Sequence, residues 1–342
     1  MKKSLIALAV LAASGAAMAQ SSVTLYGWAD TFLAFSSVEN VGNVASTKLN
    51  TTSLADGAVN GNRWGIKGTE DLGGGLSAQF QLEQGFTLSD GKSADATKQF
   101  SRQAWVGLAG GFGSVHFGRN YSAYDDINGG VGDPVFDSAL SPQGAVFKSD
   151  SYTTRFDNSI RYDTPNFSGF TAAVNYGMNE DKSTTADATA NTSFNVKYAS
   201  GPLVVALAYE NDQVSTANKL LGLTDKKFTR LAASYDLGTV VVKGNYGKAG
   251  NIAGVNGADA TEYIIGADYK MTSALTLSAG YAHSSDNAAA GDATRKGFGL
   301  GAAYSLSKRT FVYGGYEGDN QTLAGTPDYK HSVVALGINH KF

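Results

Sequence analysis

Residues 63–86 read RWGIKGTEDLGGGLSAQFQLEQGF, and this stretch decides the fold. Leu76, Ala78, Phe80, Leu82 and Phe86 fall on one face of an extended chain, with Ser77, Gln79, Gln81 and Glu83 on the other. Side chains alternate across a strand with period 2. Here the alternation runs past about ten residues, longer than the usual strand of a soluble domain. Upstream, Trp64 and Ile66 oppose Arg63, Lys67 and Thr69. Between the two runs, Gly73-Gly74-Gly75 supplies a tight reversal, because glycine reaches left-handed backbone conformations without a steric penalty.

Outward from this hairpin the same unit recurs, from a first strand at residues 23–35 to a last one at residues 329–342. Connectors alternate long and short along the chain, which gives about sixteen strands, about eight long loops and about seven short turns. Residues 36–62 read as the first long polar connection. All five prolines fall in connectors by this reading, as they must when a sheet ladder needs every N–H. Apolar residues are spread thinly, at every second position, while Gly (42), Tyr (17) and Phe (17) are abundant. That distribution suits a wall with lipid on one side and water on the other: an all-β, 16-stranded antiparallel transmembrane β-barrel.

Composition excludes several function classes. Cysteine is absent, so disulfides and cysteine-based metal or nucleophilic sites are ruled out. A net charge of −3 gives no basic footprint for nucleic acid. The four histidines, His116, His283, His331 and His340, show no two-histidine metal spacing, and no G-x-S-x-G occurs. The reading therefore contains no catalytic residue, cofactor or metal. Lys2, Lys3, the short apolar run Leu5–Leu11 and Ala17-Met18-Ala19 read as a cleaved signal peptide over residues 1–19, ahead of a barrel domain over 20–342.

One stretch breaks the pattern. Residues 119–155, RNYSAYDDINGGVGDPVFDSALSPQGAVFKSDSYTTR, hold two prolines and the carboxylates Asp125, Asp126, Asp133 and Asp137. A long irregular segment inside a regular domain is expected to be functional. We read residues 120–154 as an external loop folded into the barrel to narrow its lumen. Parity then assigns the charges. Arg63 and Lys67 face inward opposite to Trp64 and Ile66, and Arg155, Asp157 and Arg161 face inward opposite to Phe156, Ile160 and Tyr162. Arg102 is read as inward and Trp105 as facing lipid or an interface, because a lipid-facing arginine near the midplane costs about 2–4 kcal/mol. Basic side chains on one wall and acids on the loop would set a transverse field across a narrow opening. Trp28 shares the lumen face of the first strand with Thr24, Tyr26 and Asp30.

The stretches SSVTLYGWAD, RWGIKGTEDLGGGLSAQFQLE, SRQAWVGL, GFGSVHFGRN, RFDNSIRYDTPNFSGF and ALGINHKF together resemble general-diffusion porins of Gram-negative bacteria, in the neisserial, Burkholderia and Bordetella branch. The resemblance spans residues 20–342. It implies a homotrimer in the outer membrane, with the third external loop inside the pore. It implies that Arg63, Arg102 and Arg155 line the constriction opposite loop acids such as Asp133 and Asp137. The ending, with Phe342 and the alternating Ile338, Leu336 and Val334, is similar to the signal read by the outer-membrane assembly machinery. The partners implied are membrane lipid and lipopolysaccharide, with small ions and hydrophilic solutes in the pore. The expected function is passive diffusion with an anion preference. The alternatives are a channel specific for phosphate or dicarboxylates, or a non-conducting adhesive or structural barrel.

Overall fold

The computed structural model describes residues 22–184, 188–287 and 292–342; the expected signal peptide, residues 1–19, lies outside the described residues. Its strands are β1 (Ser22–Glu39), β2 (Lys48–Asp56), β3 (Arg63–Gly73), β4 (Leu76–Gly85), β5 (Gln103–Gly110) and β6 (Gly113–Tyr121). Then follow β7 (Arg155–Asp163), β8 (Phe170–Met178), β9 (Ala190–Ser200), β10 (Leu203–Asp212), β11 (Lys226–Asp236) and β12 (Val240–Gly250). The last are β13 (Ala260–Lys270), β14 (Leu275–Asp286), β15 (Ala293–Ser305), β16 (Thr310–Leu323) and β17 (Tyr329–Lys341).

Apart from β2 and β3, which both pair with β1, each strand pairs antiparallel with its chain neighbour, and β17 returns to β1 with Leu33 opposite Leu336 and Trp28 opposite Lys341. The sheet is thereby a closed barrel, which satisfies every ladder group internally, as a hydrocarbon environment requires. Residues 31–39 of β1 pair with β2, and residues 22–28 pair with β3. β2 and β3 are the two halves of one barrel position, so the seventeen segments make sixteen strands. This corrects the expectation of a polar connection over residues 36–62. β2 is exposed on both faces, so its sequence lacks the apolar alternation that marks the membrane-embedded strands. Its Thr51-Thr52 pair still favours the extended backbone.

The outward face carries exposed Val23, Leu25, Leu33 and Phe35 on β1, while Tyr26 and Asp30 are buried on the inward face, as parity predicts. Asp30 accepts hydrogen bonds from the Tyr313 hydroxyl at 2.5 Å, Asn339 Nδ2 at 2.8 Å and the backbone N–H of Asn60 at 3.0 Å. It thus ties the excursion at residues 57–62 to the seam that closes the barrel.

Two orientations differ from the sequence reading. Trp105 faces inward: Val106 and Leu108 are the exposed, outward residues of β5, and the indole stacks on His116 at 3.9 Å. Arg102 precedes β5, where the chain has not yet entered the ladder, so strand parity does not reach it. Phe156, expected outward, is only 2% exposed, and its ring lies where a side chain at Gly177 would stand. The cause is a bulge. Register passes from Gly118 opposite Ser159 to Asn120 opposite Phe156, and Asn158 takes φ 46°. The extra residue puts Phe156 in phase with the buried Ser159.

Three apolar clusters form where residues 122–151 meet the inward faces of the strands. Tyr124, Ile127 and Val131 pack on Ala206, Ala208 and Phe228. Val135 and Leu140 pack with Phe32, Ala58 and Tyr313. Val146 and Phe147 pack on Ile264 and Ala282. Burial of these side chains contributes roughly 1.5–3 kcal/mol each, and it holds the segment against the far wall.

Candidate functional site

β3, β5 and β7 place three guanidinium groups together. Arg63 lies over the Trp28 ring at 4.8 Å and donates from Nε to the Gly61 carbonyl at 2.9 Å. It is within electrostatic reach of both Arg102 and Arg155. Arg102 donates from Nε to Glu83 Oε1 at 2.8 Å and from Nη2 to the Tyr121 hydroxyl. Arg155 donates to the same hydroxyl at 2.5 Å, with its guanidinium 4.2 Å from the Tyr121 ring centre. Arg102, Arg119 and Arg155 line one cavity with Asp56, Asn62 and Asp95. Among the described residues, neither Arg63 nor Arg155 has a carboxylate ion-pair partner, so only Glu83 contacts the cluster as a compensating acid.

The other two basic residues do different work. Lys67 sits over the Tyr26 ring at 5.4 Å, in a separate cavity with Thr24, Gln79 and Trp105. Arg161 is held by Asp126 at 2.6 Å and Asp163 at 2.7 Å, and donates to the Tyr121 carbonyl at 3.0 Å. It fastens the start of the irregular segment to the wall.

The four acids are divided likewise. Asp126 bonds Arg161 and accepts from Asn195 Nδ2 at 3.0 Å. Asp125 accepts from the Tyr152 hydroxyl at 2.5 Å. Burial, with smaller contributions from Asp126 and Asp137, pushes its carboxyl up to about 6, against the lowering effects of Tyr152 and Arg155. Asp133 is buried, bonded by the Ser141 hydroxyl, and raised well above the usual carboxylate range by burial and by the neighbouring Asp137. Asp137 is exposed. None of the four touches Arg63, Arg102 or Arg155.

Sequence reasoning missed the groups that hold the segment in place. Arg230 on β11 is fully buried beneath it. It donates to the Tyr124 hydroxyl at 3.1 Å, the Asn128 carbonyl at 3.2 Å, Ser149 Oγ at 2.5 Å and Asp150 at 2.9 Å. Glu262 on β13 accepts from the backbone N–H groups of Lys148 and Ser149, and Glu210 on β10 accepts from Thr153 N–H at 2.9 Å. Ser278 receives the N–H of Val135 at 2.7 Å, anchoring the run Val135, Phe136 and Asp137, whose φ angles are all positive. Such backbone costs about 1–3 kcal/mol per residue and persists only where the surroundings impose it.

Glycines complete the seat. Side chains at Gly266 or Gly280 would meet Pro134 at about 2.6 Å or 2.5 Å, and one at Gly315 would meet Leu140 at 2.9 Å. Gly299 and Gly301 adjoin this patch across β15. The sequence signal was glycine at inward positions of four successive strands, visible as abundance but not as a surface.

At the barrel's end, Phe342 exchanges backbone hydrogen bonds of 3.1 Å with Gly27, and its ring covers that residue. Leu336 and Ile338 are exposed on the outward face.

A closed sixteen-stranded barrel with an apolar exterior and a polar interior is the architecture of an outer-membrane channel. The family model for Gram-negative porins matches residues 5–322. An outer membrane porin protein of Bordetella pertussis is 33% identical, with 100% of both chains covered. Outer membrane porin protein 32 of Delftia acidovorans is 35% identical over 92% of this chain and 88% of its own. Among solved structures, an anion-selective porin from Comamonas acidovorans matches with a TM-score of 0.72 at 27% identity, covering 94% of this chain and 100% of that one. The chain belongs to the Gram-negative porin family. It is an outer-membrane channel for diffusion of small hydrophilic solutes.

Proposed function

We propose that residues 120–154 form the constriction of this pore, and that Arg63, Arg102 and Arg155 give it an anion preference. The observation that carries this reading is the bonding at the arginine wall: of three guanidinium groups only Arg102 is ion-paired, to Glu83, while Asp56 and Asp95 share the cavity without an ion pair to them. Arginine stays ionised beside other arginines, and in a narrow opening with low-dielectric walls such a cluster raises the local anion concentration. The loop acids named from sequence compensate this wall only at a distance, since Asp126 is spent on Arg161 and Asp133 on Ser141. Arg161 and Lys67 act on the field from the periphery. The anion-selective porin from Comamonas acidovorans, at 27% identity, supports the same reading.

The solute class is small anions and neutral hydrophilic molecules passing without a chemical step. A homotrimer is the proposed assembly. Lipopolysaccharide is the proposed lipid partner: Lys296 and Lys330 flank a cavity on the barrel wall above Phe298, Tyr281 and Tyr316, a place where lysines can meet lipid phosphates over an aromatic girdle. Phe342, Leu336 and Ile338 are proposed as the surface offered to the assembly machinery.

The test is the zero-current potential of the purified protein in a planar bilayer under a salt gradient. Arg102→Ala or Arg155→Ala widens the opening and lowers anion preference, and Asp137→Asn raises it. An unchanged potential in both arginine variants overturns the assignment. Saturation of the current by phosphate or a dicarboxylate, but not by chloride, would replace general diffusion with a specific anion site.

A further inference from the structure

Away from the arginine wall, β16, β17 and β1 bring together one imidazole and two carboxylates. Asp319 stands opposite His331 in the β16–β17 ladder, and Glu317 follows two positions along the same face. Oδ2 of Asp319 lies 2.9 Å from His331 Nδ1, and Oε2 of Glu317 lies 3.5 Å from the same nitrogen. These three ligand atoms all lie within 4.8 Å of one another. Across the seam, Ser36 Oγ on β1 is 3.2 Å from His331 Nε2.

We propose that Glu317, Asp319 and His331 form a binding site for a first-row divalent transition-metal ion on the inner face of the barrel.

Four observations carry it. First, the spacing suits a shared ion. Ligand atoms roughly 2.1 Å from a metal stand roughly 3.0 Å apart at a right angle and roughly 3.4 Å apart at a tetrahedral angle. The two distances to Nδ1 match those values. Second, the Ser36 hydroxyl can accept the Nε2 proton. In that tautomer Nδ1 is left for a metal, the outer-shell arrangement usual for a metal-binding histidine. Third, Glu317 is 2% exposed and its Oε1 is buried without a hydrogen-bond partner. A buried, unpartnered carboxylate oxygen is unfavourable, and a bound ion would satisfy it. Fourth, among the described residues no lysine or arginine forms an ion pair with either carboxylate, and Arg295 on the next strand is engaged by Asp286 and Gln321. His331 remains half-exposed, so an ion has a path to the site.

The donor set selects the ion. An imidazole nitrogen with two carboxylate oxygens suits Zn²⁺, Mn²⁺, Co²⁺ or Ni²⁺, whereas Ca²⁺ and Mg²⁺ take all-oxygen sets. Bound there, the metal would tie β16 to β17 beside their junction with β1 and would add positive charge to the pore wall. This site is independent of the anion-preference reading, because none of its residues belongs to the arginine wall.

The experiment is calorimetric titration of Zn²⁺ into the full-length protein in detergent, stripped with a chelator beforehand, with Co²⁺ visible spectroscopy in parallel. The expected result is one equivalent of Zn²⁺ per chain, not displaced by excess Ca²⁺. Glu317→Gln and His331→Gln should each weaken binding more than about tenfold. Co²⁺ should give ligand-field bands that His331→Gln abolishes. Asp319→Asn serves as the alternative variant if either of the others fails to fold, as judged by heat-dependent migration on gels. No binding beyond the detergent blank overturns the proposal. Binding unchanged by His331→Gln, or competed by Ca²⁺, equally overturns it, since the ion would then sit on scattered carboxylates.

Discussion

Arg230 and Asp150 are bonded at 2.9 Å with the guanidinium fully buried, at the point where the irregular segment turns back toward the wall. The pair joins β11 to a segment that leaves the wall at β6 and rejoins it at β7, several strands away. Removing the arginine leaves Asp150 and the Tyr124 hydroxyl without their partner. Breaking a buried pair in this way costs about 3–5 kcal/mol. Arg230→Met should therefore release the segment, raise single-channel conductance and add current noise, with the barrel strands intact by circular dichroism. Conductance equal to that of the wild type would mean the apolar clusters hold the segment alone.

Tyr121 separates two effects that Arg102 and Arg155 combine. Arg155→Gln removes a charge, so the zero-current potential should move toward zero. Tyr121→Phe removes two charge-assisted hydrogen bonds, each worth about 1.5–3 kcal/mol, and leaves both charges. It should keep the sign of selectivity while the arginines become mobile and the current noisier. Equal loss of selectivity in both variants would show that position, not charge, sets the preference.

The glycine seat predicts a size effect. A side chain at Gly299 would strike the Leu140 carbonyl and Pro142. Gly299→Val should lift the middle of the segment and alter conductance, whereas Gly111→Ala, with nothing within 4 Å of the new methyl, should be neutral. A solute-size exclusion series on both variants checks this. An unaltered cut-off in Gly299→Val would place the narrowest point elsewhere.

Asp125 gives a pH dependence with a defined sign. Its carboxyl is raised from 3.8 to about 6 in the folded protein, so the folded state holds this proton more tightly than the unfolded one. Through this group, stability rises as pH falls from about 6 toward 4 and is lost as pH rises through about 6. Protonation also removes a negative charge within electrostatic reach of Arg155. Anion preference should increase as pH drops through about 6, and Asp125→Asn should abolish that step. A reversal potential flat between pH 8 and pH 5 in the wild type would refute the coupling.

The barrel itself was legible in the chain. Alternation in segments such as residues 76–86 fixes strands, and the long–short rhythm of connectors fixes antiparallel order. Both are local, because period 2 and turn chemistry act over a few residues. β2 escaped because it is wet on both faces, and wet strands have no hydropathy signature. Phe156 escaped because a single bulged residue at Asn158 inverts parity without leaving a pattern. Trp105 escaped because an indole satisfies either face, and only its stacking on His116 decides.

Of the site, sequence alone determined which residues were charged, that Arg63 shares a face with Lys67, and that a long irregular segment lies within residues 119–155, although β6 runs on to Tyr121 and β7 begins at Arg155. It could not say which charges stay free. That depends on partners brought together from distant positions: Glu83 with Arg102, Arg161 with Asp126, Arg230 with Asp150. Closing the sheet into a barrel makes every inward side chain a potential neighbour of the segment inside it. Which acid meets which base is therefore decided by register and by the segment's path, quantities that exist only in the tertiary structure.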